Sequence, residues 1–173
     1  MVRTARTGLL AAALLAAAAG CGDGPATAPP PEDVAAVGDE VAILRKFPAS
    51  SSGGYAAAAN EVHRDAASFA AAWKKASAHL APPPAAPPVD FATEMVALAA
   101  LGRKPNAGWG VEIVGLRRTD AGLRILYAVR EPAAGEMSAT VLTNPWHAVV
   151  VPREDGPVEW ALYTPPGAPP KAK

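Results

Sequence analysis

The chain reads as an α+β domain, a small antiparallel β-sheet curling into a sandwich or open barrel with one packed helix. Three observations predict it. One segment carries a helical period, with Phe69, Ala72, Trp73, Ala76 and Leu80 at spacings of three and four. Some five extended or alternating segments follow it, and the connections between them are short and rich in Gly, Pro and Asn. Strands that follow one another through short turns pair antiparallel, and a helix set to one side of them gives the α+β class.

The helix starts at Asp65, which suits an N-cap; Lys74, Lys75 and His79 suit the negative C-terminal end, and Pro82-Pro83-Pro84 stop it. Upstream, Val41-Ala42-Ile43-Leu44 reads as a short strand, Ser50 to Gly54 as a flexible turn, and Tyr55 to His63 as a second extended piece. Downstream, Met95 to Leu101 and Val111 to Arg117 read as the two arms of a β-hairpin. The next strand is Leu123 to Arg130, with Leu123, Ile125, Tyr127 and Val129 inward. Met137 to Thr143 extends again. Asn144-Pro145 turns into a strand at Trp146 to Val151, and Glu154-Asp155-Gly156-Pro157 precedes a last one at Val158 to Tyr163.

The connection at residues 102–110 is the stretch around which the function is sought. It reads Gly-Arg-Lys-Pro-Asn-Ala-Gly-Trp-Gly, whereas most hairpin loops need two to about five residues. Arg103, Lys104, Asn106, Gly108 and Trp109 bring charge, an amide and a large apolar ring together, and Trp146 adds area if its turn lies alongside. Trp and Arg are the residue types that dominate interface hot spots. These six residues are the candidate partner-binding set. A purely structural role for Trp109, folded back on the sheet between two permissive glycines, is the competing expectation.

Composition limits the function classes. The 173 residues carry 16 basic and 16 acidic side chains, so the electrostatic footprint that nucleic-acid binding requires is missing and that class is excluded. Half of the residues count as hydrophobic, but Ala inflates the figure and the core must be modest. The histidines, His63, His79 and His147, show no metal-ligand spacing and read as surface or strand-end residues. Asp90 with Glu94 and Glu131 with Glu136 read as loop carboxylates, Ser50 to Ser52 lack the strand-Ser-helix setting of a hydrolase elbow, and the 102–110 loop lacks the Gly-Lys-Ser/Thr of a phosphate cradle. No enzyme activity and no cofactor are expected.

The first 21 residues read as an address. Arg3 and Arg6 precede an apolar run at residues 8–19 that is too short to span a bilayer, and Ala18-Ala19-Gly20 leads to Cys21. This resembles a bacterial lipoprotein signal, which implies cleavage before Cys21 and lipidation of that residue. Cys21 is the single cysteine, so no internal disulfide competes for it. Cleavage leaves 14 basic residues against 16 acidic ones. Residues 21–33 are proline-rich with nothing to bury and read as a tether; at about 3.1 Å per residue it holds a domain some 30 to 40 Å off a membrane. The expected organisation is a signal at 1–20, a tether at 21–33, a domain at 34–163 and a proline-rich disordered tail at 164–173. The expected location is the bacterial cell envelope, at the periplasmic face of the outer membrane.

Val89-Asp90-Phe91, Glu94-Met95-Val96 and the run from Leu101 to Ile113 resemble the PrcB C-terminal domain family, whose pattern is an apolar strand, Gly-x-x-Pro-x-x-Gly-aromatic and an alternating strand. Arg130-Glu131-Pro132 and Asn144-Pro145-Trp146-His147 follow in the same order, giving coverage of 89–152; Trp109 stands where the family often has Tyr. The resemblance implies a non-catalytic envelope module, the family name coming from an accessory lipoprotein of a surface protease complex. It points to an envelope protein, of the protease kind, as partner. A weaker likeness, of Pro105 to Trp109 and Asn144 to Trp146, to the loops of chagasin-type inhibitors implies a protease inhibitor instead; a polysaccharide-binding module is the other alternative.

Overall fold

The computed structural model describes residues 37–164. The expected signal, Cys21, the expected tether and the expected tail beyond Thr164 lie outside the described residues. Eight strands and one helix follow in the order β1 (Asp39–Val41), β2 (Arg45–Lys46), β3 (Ala58–His63), α1 (Ala66–Ala76), β4 (Glu94–Leu101), β5 (Gly110–Thr119), β6 (Gly122–Arg130), β7 (Trp146–Pro152) and β8 (Val158–Leu162). They form two four-stranded sheets, one ordered β1-β5-β6-β8 and the other β2-β7-β4-β3. The α+β sandwich expected from the sequence is therefore present, open at its edges rather than closed as a barrel.

The two central strands of the second sheet, β4 and β7, are buried on both faces, and this explains why β4 reads as an unbroken apolar run. Met95, Ala97 and Ala99 face the other sheet, packing with Val149 and Val151 of β7 against Val111, Ile113, Leu116, Leu123 and Ile125. Val96, Leu98 and Ala100 face the helix layer, where they meet Phe47, Phe69, Ala72, Ala76, Trp146 and Val150. A strand with only one buried face alternates; one with two does not. Alanines at 97, 99 and 100 let the layers approach closely.

Asp65 caps α1 as expected, its Oδ1 accepting the Ser68 N–H at 2.8 Å. These hydrogen bonds to the Ser68 backbone and hydroxyl hold its carboxyl below the usual range. The helix ends earlier than the proline triplet. Ser77 terminates it, donating its hydroxyl back to the Trp73 carbonyl at 2.6 Å, and Leu80 lies beyond the end, exposed.

Four other expectations are corrected. β4 and β5 are not a hairpin: β4 pairs with β3 and β7, β5 with β1 and β6, so residues 102–110 cross from one sheet to the other. The sheets are not wholly antiparallel, because β8 runs parallel to β6. Residues 41–44 are not one strand: Val41 ends β1 in one sheet, and 42–44 are the passage to β2 in the other. Residues 137–143 form no strand beyond a bridge between Thr143 and Lys104. In each case the local pattern is extended, and the partner is set by which face has to be buried.

Candidate interaction surface

Because residues 102–110 leave one sheet and join the other, their length spans the sandwich instead of turning a hairpin. The segment is fixed on three sides. On the first, the Arg103 N–H donates to the Ala56 carbonyl at 3.1 Å, and Gly102, with φ of +69°, brings its backbone so near Ala57 that a Cβ would lie 2.7 Å from the Ala57 carbonyl carbon. On the second, Lys104 and Thr143 exchange both backbone hydrogen bonds, at 2.8 and 3.0 Å, the Ala107 N–H reaches the Ala139 carbonyl at 3.1 Å, and the Thr143 hydroxyl donates to the Asn106 carbonyl at 2.9 Å. On the third, the Arg130 guanidinium donates to the Gly108 carbonyl at 2.8 Å, and a Cβ on Gly108 would lie 2.7 Å from Pro132 Cβ.

Within the segment Asn106 makes its own turn, Oδ1 accepting the Gly108 N–H at 3.0 Å. Trp109 is half-buried, with the Lys104 ammonium 4.4 Å from its ring centroid, a cation–π contact. Arg103 is exposed. Five of the six candidate residues thus share one pinned platform; Gly108 is buried and serves its geometry.

Trp146 does not belong to it. Only 5 % exposed, it packs edge-on against Trp73 at 5.6 Å and donates its indole N–H to the Ser52 carbonyl at 2.9 Å. Asn144 binds the same loop, its amide donating to the Gly53 carbonyl at 2.8 Å. The Asn-Pro-Trp-His turn is a clamp on residues 50–53, and Trp146 offers no area to a partner.

Two of the three histidines are buried, and one of them, His63, is the strand-end residue expected from the sequence, whereas His147 lies in the interior. His147 sits between the sheets, Nδ1 accepting the Ile113 N–H at 2.9 Å; burial holds its pKa below the ordinary value, opposed by Glu112 and a Phe47 backbone hydrogen bond. His63 ends β3 with Nε2 3.3 Å from Glu61, which also accepts the Tyr55 hydroxyl at 2.7 Å. Burial, then Glu61, pushes the Tyr55 phenol upward. Asp90 and Glu94 organise their own turn, accepting the Ala92 and Asp90 N–H groups at 3.1 and 3.2 Å. Among the described residues no group of three His, Cys, Asp or Glu is placed to hold a metal.

Beside the platform lies a feature that the sequence pattern conceals. Met137 to Thr143 reads as one more extended segment, yet Met137 is 97 %, Leu142 67 % and Val141 51 % exposed. The sequence holds no signal for this: Met137, Ala139 and Val141 alternate with Ser138 and Thr140 as a one-faced strand would.

No curated protein and no solved structure matches the chain. The matched family segment supplies β4 to β7, which are the two central strands of each sheet, while every edge strand comes from outside it. From the second residue of β4 to the end of β7, residues 95–152 match the family described as PrcB C-terminal.

Proposed function

We propose that this protein is a non-catalytic, lipid-anchored accessory subunit of the bacterial envelope, held by Cys21 at the periplasmic face of the outer membrane, that holds a protein partner of the protease-complex kind. The observation that carries the reading is the construction of residues 102–110. A segment that needed only to cross between sheets has no use for an exposed arginine beside a half-buried tryptophan. Here both are presented on backbone fixed from three sides, so little conformational entropy remains to be lost on binding. The PrcB C-terminal match supports the accessory role. An inhibitor reading has less behind it, because the second loop it requires places Trp146 in the core.

The test is co-purification from native envelopes with the full chain, comparing wild type with an Arg103→Ala, Trp109→Ala double variant whose fold is confirmed by circular dichroism. A partner recovered with wild type and lost with the variant is the expected result. Equal recovery from both would remove the loop as the binding surface.

A further inference from the structure

The platform continues into an apolar strip, and its uncompensated charge has one sign. Thr143 is paired with Lys104 and Ala139 with Ala107, so Leu142 adjoins the Lys104 bridge, Val141 lies between the two contacts, and Met137 is two residues beyond the Ala139 contact. Among the described residues Arg103 is the one arginine whose guanidinium meets neither a carboxylate nor a carbonyl. Arg45 and Arg64 reach backbone oxygens, Arg117, Arg118, Arg124, Arg130 and Arg153 reach carboxylates, and Lys104 meets only the Trp109 ring. The nearby Glu136 is occupied: it pairs with Arg130 and accepts the Ala133 N–H at 2.9 Å, which with the Arg130 charge holds its carboxyl below the usual range. A molecule covering Met137, Val141 and Leu142 therefore meets positive charge at the edge.

We propose that this surface receives an acidic polypeptide segment with apolar side chains, Arg103 and Lys104 taking its carboxylates while Met137, Val141 and Leu142 cover its apolar groups. The inference rests on the accessory-subunit reading and names the chemistry of that partner. A polypeptide rather than a lipid surface follows from that reading, and the positive edge formed by Arg103 and Lys104 selects an acidic one. Three exposed apolar side chains within six residues are also more than isolated surface exposure accounts for.

The test places a photo-crosslinking p-benzoylphenylalanine at Met137 or Leu142 of the full-length protein in native envelopes, with Leu80 as the exposed control, and sequences the linked peptide. The expected adduct is a peptide whose apolar residues are flanked by Asp or Glu. Its yield should fall about tenfold in an Arg103→Glu, Lys104→Glu variant and return when the partner's carboxylates are changed to lysine. A phospholipid adduct, a neutral or basic peptide, or a yield no higher than at Leu80 would overturn the proposal. If co-purification depends on Arg103 and Trp109 while the crosslinks stay at control level, the partner rests on residues 102–110 alone and only this inference fails. If co-purification is also insensitive, both readings fail.

Discussion

The Ile113 N–H donates to His147 Nδ1 at 2.9 Å, so a side chain of one sheet completes a backbone group of the other. The bond needs a neutral imidazole, because a protonated Nδ1 would set donor against donor inside the sandwich. Burial is the larger cause of the lowered pKa, and Lys46 adds to it. The folded value lies below that of the unfolded chain, where the ordinary value is 6.5. The unfolded chain thus binds more protons across the interval between them. This contribution to stability is complete above that ordinary value and is lost as pH falls through the interval. Melting temperature measured from pH 8 down to pH 5 should fall more steeply in wild type than in His147→Gln, which keeps an acceptor but cannot titrate.

The two candidate tryptophans should separate cleanly. Trp146→Ala removes a buried ring and its hydrogen bond to Ser52, at an expected cost of about 3 to 5 kcal/mol. Trp109→Ala removes a half-buried ring and one cation–π contact, at a cost below about 2 kcal/mol. Denaturant unfolding of the two variants measures the difference.

Two glycines with positive φ offer a matched comparison. Gly135, at +82°, has no atom within 4 Å of the place an alanine methyl would take, so Gly135→Ala should cost only the backbone term of about 1 to 2 kcal/mol. Gly102, at +69°, abuts the Ala57 backbone, and Gly102→Ala should cost about 2 to 4 kcal/mol because overpacking adds to the same term. Equal losses in chemical denaturation would mean that the close approach to residue 57 is unimportant.

The exposed strip should be silent in the isolated domain. Met137→Ser and Leu142→Ser should each change unfolding free energy by less than about 0.5 kcal/mol, whereas Leu98→Ala should cost about 2 to 5 kcal/mol. A large loss at Met137 would show that its side chain supports the fold.

Much of the architecture is legible because its signals are local. Asp65 followed by apolar residues at helical spacing gives α1, and alternation from Leu123 gives β6. Pairing is less legible. β4 and β5 look like hairpin arms since they are adjacent and extended, but β4 has two apolar faces and must lie between layers, where β3 and β7 flank it. Likewise Trp109 and Trp146 follow similar Gly- or Pro-bearing turns. What separates them is the Ser50 to Gly53 loop, more than ninety residues before Trp146, which receives the second ring and leaves the first at the surface.

Short-range information was thus enough for the helix and its cap, the main extended segments, the α+β class and the family likeness, read over residues 89–152 and matched over 95–152, since periodicity, capping and turn chemistry act between residues near one another in the chain. Long-range packing chose the rest: which sheet each strand joins, that β8 runs parallel to β6, that Trp146 and His147 belong to the interior, and that Arg103 stands exposed near an exposed apolar strip. Those outcomes depend on which distant surfaces exclude water from each other, and burial of that kind is a property of the assembled layers.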